Sequence, residues 1–197
     1  MIILLDNGHG GIVNGKYTTA GKRSPIWNDG SQLFEGEFNR AIVNRIIEKL
    51  TQLRIPYVNI APEYWDVRLA TRVKRANEYP ANNSLYVSIH SNAGGGNGSE
   101  MFTSIRPTRS DKFATIFGEE FKAEFQNENL REDWSDGDLD KERNFYVLKH
   151  TKMPAILTEN FFMDNERECK QYLMTNEGRD RIAQYHVKAI QKIVSSF

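Results

Sequence analysis

Hydrophobic and polar positions along the chain follow two alternating periods. Short apolar or alternating runs bounded by Gly, Pro or Asn occur at Ile2 to Leu5, Tyr57 to Ile60, Leu85 to Ala93, Ser99 to Ser104, Phe145 to Leu148 and Ala155 to Asn160, and they read as strands. Between them lie segments with apolar residues three and four apart. The clearest is Glu35 to Leu53, which carries Phe38, Ile42, Ile46, Leu50 and Leu53 and stops before Pro56. Further helices are predicted over Asp66 to Tyr79, Ser110 to Phe125, Glu166 to Met174 and Glu177 to Val194. In the second helix Val67, Leu69, Ala70, Val73 and Ala76 form the apolar face, and Arg68, Arg72, Lys74 and Arg75 are placed outward as a solvated one.

Strands alternating with helices require crossover connections. The pattern predicts an α/β fold in which residues 1–197 form one domain, with a twisted, mostly parallel six-stranded sheet covered by helices on both faces. The strand from Ser99 follows the strand ending at Ala93 too closely for a helical crossover, so these two are expected to pair antiparallel. Two segments, Gly10 to Phe34 and Gln126 to Arg143, lack periodicity and read as long loops, the first with room for a hairpin. Long loops in compact domains tend to serve function, and Tyr17, Lys22, Arg23, Trp27 and Asp29 are candidates to line a groove.

Composition narrows the function. A chain of 197 residues that is 39% hydrophobic can build a sizeable core and does not belong with disordered sequences. Its 26 basic and 26 acidic residues balance, and no basic run is present, which removes the usual case for a nucleic-acid or anionic-membrane partner. No stretch reaches membrane-spanning length, and the apolar residues before Asp6 are too few for a signal peptide. The expectation is a monomer made in the cytoplasm without a signal peptide; if its substrate lies outside, something else must release it. Cys169 is the sole cysteine, so no internal disulfide forms, and it is expected as a half-buried helix residue.

The candidate chemistry sits where apolar runs end. Ile2-Ile3-Leu4-Leu5-Asp6-Asn7 breaks into Gly8-His9-Gly10-Gly11, and Leu85 to Ile89 breaks into His90-Ser91-Asn92-Ala93 before a glycine-rich stretch. Ligands in open α/β sheets bind beyond such strand ends. Two imidazoles and a carboxylate form a ligand set for catalytic zinc, and His9, His90 and Glu35, at the start of the first helix, supply one. Glu159, ending another apolar run, is the natural group to move a proton. The spacing forms no compact metal motif, and strand-end histidines are also satisfied by backbone hydrogen bonds, just as an acidic residue at a helix start is explained by the helix dipole.

Four blocks, in order, sharpen this reading. Asp6-Asn7-Gly8-His9-Gly10-Gly11, Glu35-Gly36-Glu37-Phe38-Asn39, Ser88-Ile89-His90-Ser91-Asn92-Ala93 and Met153-Pro154-Ala155-Ile156-Leu157-Thr158-Glu159-Asn160-Phe161-Phe162 together resemble the zinc-dependent N-acetylmuramoyl-L-alanine amidases of the amidase type 3 family, known from bacterial cell-wall hydrolases and phage endolysins. Leu69-Ala70-Thr71-Arg72 and Gly98-Ser99-Glu100 extend the likeness over nearly the whole chain. The resemblance implies hydrolysis of the amide between N-acetylmuramic acid and L-alanine in peptidoglycan, with Zn2+ on His9, Glu35 and His90 and Glu159 catalytic. It selects Glu35 over Glu37, because the glutamate ligand stands four residues before an Asn. Asn7 replaces the family's usual Pro, and Phe161 its usual Gly. The glycines beside His9 are expected to keep the open side of the metal accessible to a polymeric substrate. The alternatives are another zinc peptidase cutting stem peptides and a catalytically silent peptidoglycan-binding module of the same fold. His150, in a turn near a strand end, and His186, in the last helix, are read as surface or packing residues.

Overall fold

The computed structural model describes residues 1–105 and 108–196. The chain opens with β1 (Ile2–Asn7), followed by a small hairpin of β2 (Ile12–Val13) and β3 (Lys16–Tyr17). Asn14 and Gly15 between these strands both have positive φ, 51° and 74°, the backbone twist that a two-residue hairpin loop needs. Then come α1 (Glu35–Gln52), β4 (Tyr57–Asn59), α2 (Leu69–Ala76), β5 (Ser84–Asn92) and β6 (Glu100–Thr103). The rest comprises α3 (Arg109–Glu124), β7 (Lys141–Glu142), α4 (Tyr146–His150), β8 (Ala155–Phe162), α5 (Glu166–Glu168), a π-turn at Cys169–Leu173 and α6 (Asn176–Ser195).

The main sheet has the order β4-β1-β5-β8-β6-β7. Strands β4, β1, β5 and β8 run parallel, and β6, with β7 parallel to it, runs antiparallel to β8. The expected six-stranded, mostly parallel sheet with helices on both faces is therefore present, with two corrections. The strand from Ser99 does lie opposite in direction to β5 but pairs with β8, which the later chain inserts between them. Phe145 to Leu148 is not a strand: Tyr146 to His150 is helix α4, and the sixth strand is Lys141–Glu142, inside the segment read as loop. An apolar run of this length satisfies either period, and two residues of strand carry no periodic signal.

The larger core packs α1, α3 and α6 on one face, through residues such as Phe38, Ile46, Phe117, Phe121 and Ile190. A smaller one packs α2 and α4 on the other face, around Leu4, Tyr86, Val147 and Leu157. Helix α1 starts at the predicted Glu35 and ends where Arg54 turns left-handed (φ 57°) ahead of Pro56. From β1 the chain crosses through α1 to β4 on one side, then returns through α2 to β5 on the other side of β1. The gap beyond β1 and β5 is thus the topological switch point, where this class of sheet binds ligands. Cys169 is fully buried rather than half-buried, in the π-turn against the larger core.

Candidate active site

Strand alternation decides which side chains meet at the switch point. On β5, Leu85, Val87 and Ile89 enter the larger core, so Tyr86, Ser88 and His90 face the other way. On β1 the same side receives Leu4 and Asp6, and on β8 Leu157 and Glu159, whose Cα pairs with that of His90. His90 and Glu159 therefore share a face, at neighbouring positions. They line one cleft together with Gly8, His9, Lys22, Asp66, Arg68, Leu69, Arg72, Phe145, Tyr146 and Val147. Both lie before the ends of strands that continue to Asn92 and Phe162, so an apolar run marked only approximately where each strand stops.

His9, Glu35 and His90 each offer a ligand atom, and these atoms lie within 4.8 Å of one another. Glu35 Oε1 is 2.9 Å from His90 Nδ1 and 3.2 Å from His9 Nε2. The His9 contact is close but misaligned: Nε2 is buried without a hydrogen-bond partner, as is Glu35 Oε2. The imidazole rings meet edge to face, with centroids 4.9 Å apart. Burial by itself would raise the Glu35 carboxyl, but the two imidazoles outweigh it and hold the group well below the usual carboxylate range. Burial pushes the His90 imidazole down, towards its neutral form. An ionised carboxylate, a neutral imidazole and two sealed donor atoms without partners are the condition in which such groups bind a cation. Burial, and next the Glu35 charge, push Glu159 well above its ordinary value, and Lys22 opposes them. Its Oε2 is buried and unpartnered.

Glu37, on the same helix, instead accepts the Ile12 amide at 2.6 Å and braces the hairpin, while Glu35 is the carboxylate grouped with the two histidines. Asn39, one turn beyond Glu35, donates to the Gly8 carbonyl at 2.8 Å. One helix face thereby reaches both His90 and the loop that carries His9. The glycines beside His9 serve packing. A Cβ on Gly8 would lie 2.1 Å from the His90 ring, and one on Gly36 would lie 1.8 Å from the Gly10 carbonyl oxygen. Gly36→Ala is expected to push α1 off the His9 loop, costing about 1–3 kcal/mol and weakening metal binding, checked by thermal unfolding and metal titration.

Beneath the cleft lies a buried network. Arg72 donates to Asp6, to the carbonyls of Asn7 (2.9 Å), His9 (3.2 Å) and Val67 (2.8 Å), and reaches Asp66 at 3.5 Å. Asp6 also accepts from Tyr86 (2.7 Å) and Ser88 (2.9 Å). Arg72 thus holds the main chain of His9, which has a left-handed φ of 67° unusual for a side-chain-bearing residue. This corrects the expectation of a solvated face. Arg72 is buried, Arg75 is bound to Glu63, and of the four only Arg68 and Lys74 are exposed, while Leu69 lies outside the core. The signal was present, since Arg72 shares the apolar stripe of Val73 and Ala76 at helical spacing.

Burial tends to raise Asp6, but Arg72 and Tyr86 hold it below its usual value. Its contribution to stability is therefore full above the unfolded-state pKa of about 3.9 and is lost as pH falls through the lower folded value. Asp6→Asn leaves the Arg72 charge buried without its counterion, and is expected to destabilise by about 3–5 kcal/mol at pH 7, with a smaller deficit in acid. Chemical denaturation across pH checks both.

Of the loop residues suggested for a groove, Lys22 lines the cleft and Tyr17 accepts the Gly36 amide through its hydroxyl. Trp27 packs on the larger core, Asp29 pairs with Lys170, and Arg23 bridges to Phe34. His186 is buried on the opposite face, hydrogen-bonded to Thr158 and the Ile182 carbonyl, with its imidazole pushed down to about 3, and His150 rests on Tyr146 at the end of α4. Phe161 takes a left-handed φ of 57°, the conformation glycine adopts freely, and stacks on Tyr172 at 4.4 Å. Asn7 keeps both side-chain polar atoms buried without partners. Among the described residues a second group able to hold a cation, Asp136, Asp138 and Glu142, lies around β7 and is more exposed, and no helix is long and apolar enough to cross a membrane.

The sequence is 34% identical over 131 residues to the N-acetylmuramoyl-L-alanine amidase CwlM of Bacillus licheniformis, a match covering 64% of this chain and 46% of that protein. It is 26% identical over 203 residues to the endolysin of Bacillus phage SPP1, covering 98% and 66%. The chain thus matches less than half the length of the first of these relatives. The fold superposes on N-acetylmuramoyl-L-alanine amidase AmiC2 of Nostoc punctiforme with a TM-score of 0.78 and 26% identity, covering 99% of this chain and 97% of that one. The profile of the N-acetylmuramoyl-L-alanine amidases matches residues 3–192, nearly all of the sequence, and the chain belongs to that family.

Proposed function

We propose that this protein is a zinc-dependent N-acetylmuramoyl-L-alanine amidase that hydrolyses the bond between N-acetylmuramic acid and L-alanine in peptidoglycan, with residues 1–197 as one catalytic unit. The observation that carries this is the convergence of His9, Glu35 and His90 beside Glu159 in one cleft. Every group in that set comes from one chain, which suits action as a monomer. His9, Glu35 and His90 would hold the zinc, since His9 Nε2 and Glu35 Oε2 are sealed and unpartnered and a His90 ring nitrogen lies within 4.8 Å of the other ligand atoms. Bound there, zinc supplies a Lewis acid that polarises the amide carbonyl and acidifies water. Glu159 takes the proton from the attacking water and returns it to the leaving nitrogen at Oε1 or Oε2. Burial raises the affinity of the Glu159 carboxylate for a proton, which suits it to take one from water and hold it between the two transfers. Arg72 and Asn39 fix the backbone on either side of His9, so the site is rigid before substrate arrives.

Digestion of purified peptidoglycan tests the reading. New amino termini should belong to L-alanine. Termini belonging to any other stem residue would identify a peptidase instead, and no release with zinc bound would indicate a binding module.

A further inference from the structure

Two cationic side chains on the cleft form no hydrogen bond or ion pair with a described residue. Lys22, from the loop after the hairpin, and Arg68, just before α2, are exposed and line the same cleft as His9, His90 and Glu159. The acidic groups around them are engaged or turned elsewhere. Asp66 accepts the Thr19 hydroxyl at 2.8 Å and faces Arg72, and Asp6 is buried among Arg72, Tyr86 and Ser88. Glu159 lines the same cleft at the position assigned to proton transfer, where the Lys22 charge acts on it without a hydrogen bond or ion pair. The remaining lining includes the exposed apolar side chains of Leu69, Phe145 and Tyr146. Such a surface suits a ligand with small apolar groups near the reacting bond and a negative charge a short distance away.

We propose that Lys22 and Arg68 form a carboxylate subsite, which binds the free α-carboxylate of the second stem-peptide residue and makes the protein prefer acidic over amidated stems. The inference rests on the amidase reading, since the carboxylate is positioned by the scissile bond at the metal site. Exposed charge pairs are individually weak, so two of them together give a discrimination of about three- to tenfold. The effect falls mainly on KM, because the charge is remote from the reacting atoms and is bound equally in ground and transition states.

The test compares N-acetylmuramoyl-L-alanyl-D-isoglutamate with its isoglutamine counterpart at low salt. The intact protein should hydrolyse the acid with a kcat/KM about three- to tenfold higher, through KM. In the Lys22→Gln/Arg68→Gln double variant that ratio should fall to about one while zinc content is retained. Lys22→Arg, combined with native Arg68, should keep the preference, and high salt should erode it. Equal kcat/KM for the two compounds, or an unchanged ratio in the double variant, would overturn the subsite while leaving the amidase reading standing. Hydrolysis of neither compound by the zinc-loaded protein would overturn both.

Discussion

Glu159→Gln is expected to lower kcat on peptidoglycan by about a hundredfold to ten-thousandfold, the range contributed by a positioned general acid-base group. Glutamine has nearly the same shape but cannot accept and return a proton. The substitution is also expected to be mild for the fold. Glu159 makes no side-chain hydrogen bond or ion pair with a described residue, so an amide of nearly the same shape breaks none. Zinc content and the denaturation midpoint should therefore match those of the unaltered protein. The comparison separates chemistry from folding: lost turnover with metal retained supports proton transfer by Glu159, and turnover retained at more than about half removes it from that role.

His90→Ala is expected to lose the metal. Structural zinc sites bind with about 10–16 kcal/mol spread over their ligands, so removing one of three protein ligands should weaken affinity by at least about a hundredfold. The loss has a second part here. The His90 ring fills the space over Gly8 and hydrogen-bonds Glu35, so its removal leaves a buried carboxylate with less support. Elemental analysis after dialysis should find the unaltered protein loaded and the variant nearly free of zinc. Added zinc should raise the unfolding temperature of the former and leave that of the latter unchanged. Full zinc occupancy in the variant would refute the assignment.

Much of this was legible before any coordinates. The helix from Glu35 carries a long apolar stripe, and its start was read to the residue. His9, His90 and Glu159 were visible because each interrupts an apolar run with a group that has chemistry, and parallel strands then bring such interruptions to one edge. What escaped had a physical reason in each case. Phe145 to Leu148 was too short for either period to win, and β7 too short to register at all. Strand order is set by which faces the crossovers cover, and no local pattern states that β8 would enter between β5 and β6. Arg72 was misplaced because a charge on a helix is normally solvated. Its burial depends on Asp6, 66 positions away, and on the carbonyls of the His9 loop, partners that only the fold supplies. Asn39 was noticed for its spacing from Glu35, while its bond to Gly8 explains why that spacing matters.

The account stands on a zinc ion held by His9, Glu35 and His90 beside Glu159. Anomalous diffraction at the zinc absorption edge from crystals of the intact, zinc-loaded protein tests this most directly. The predicted result is one strong peak at about 2.0–2.2 Å from a nitrogen of each histidine and an oxygen of Glu35. A peak confined to another place, such as the acidic group at Asp136, Asp138 and Glu142, or no peak in protein that hydrolyses peptidoglycan, would contradict it.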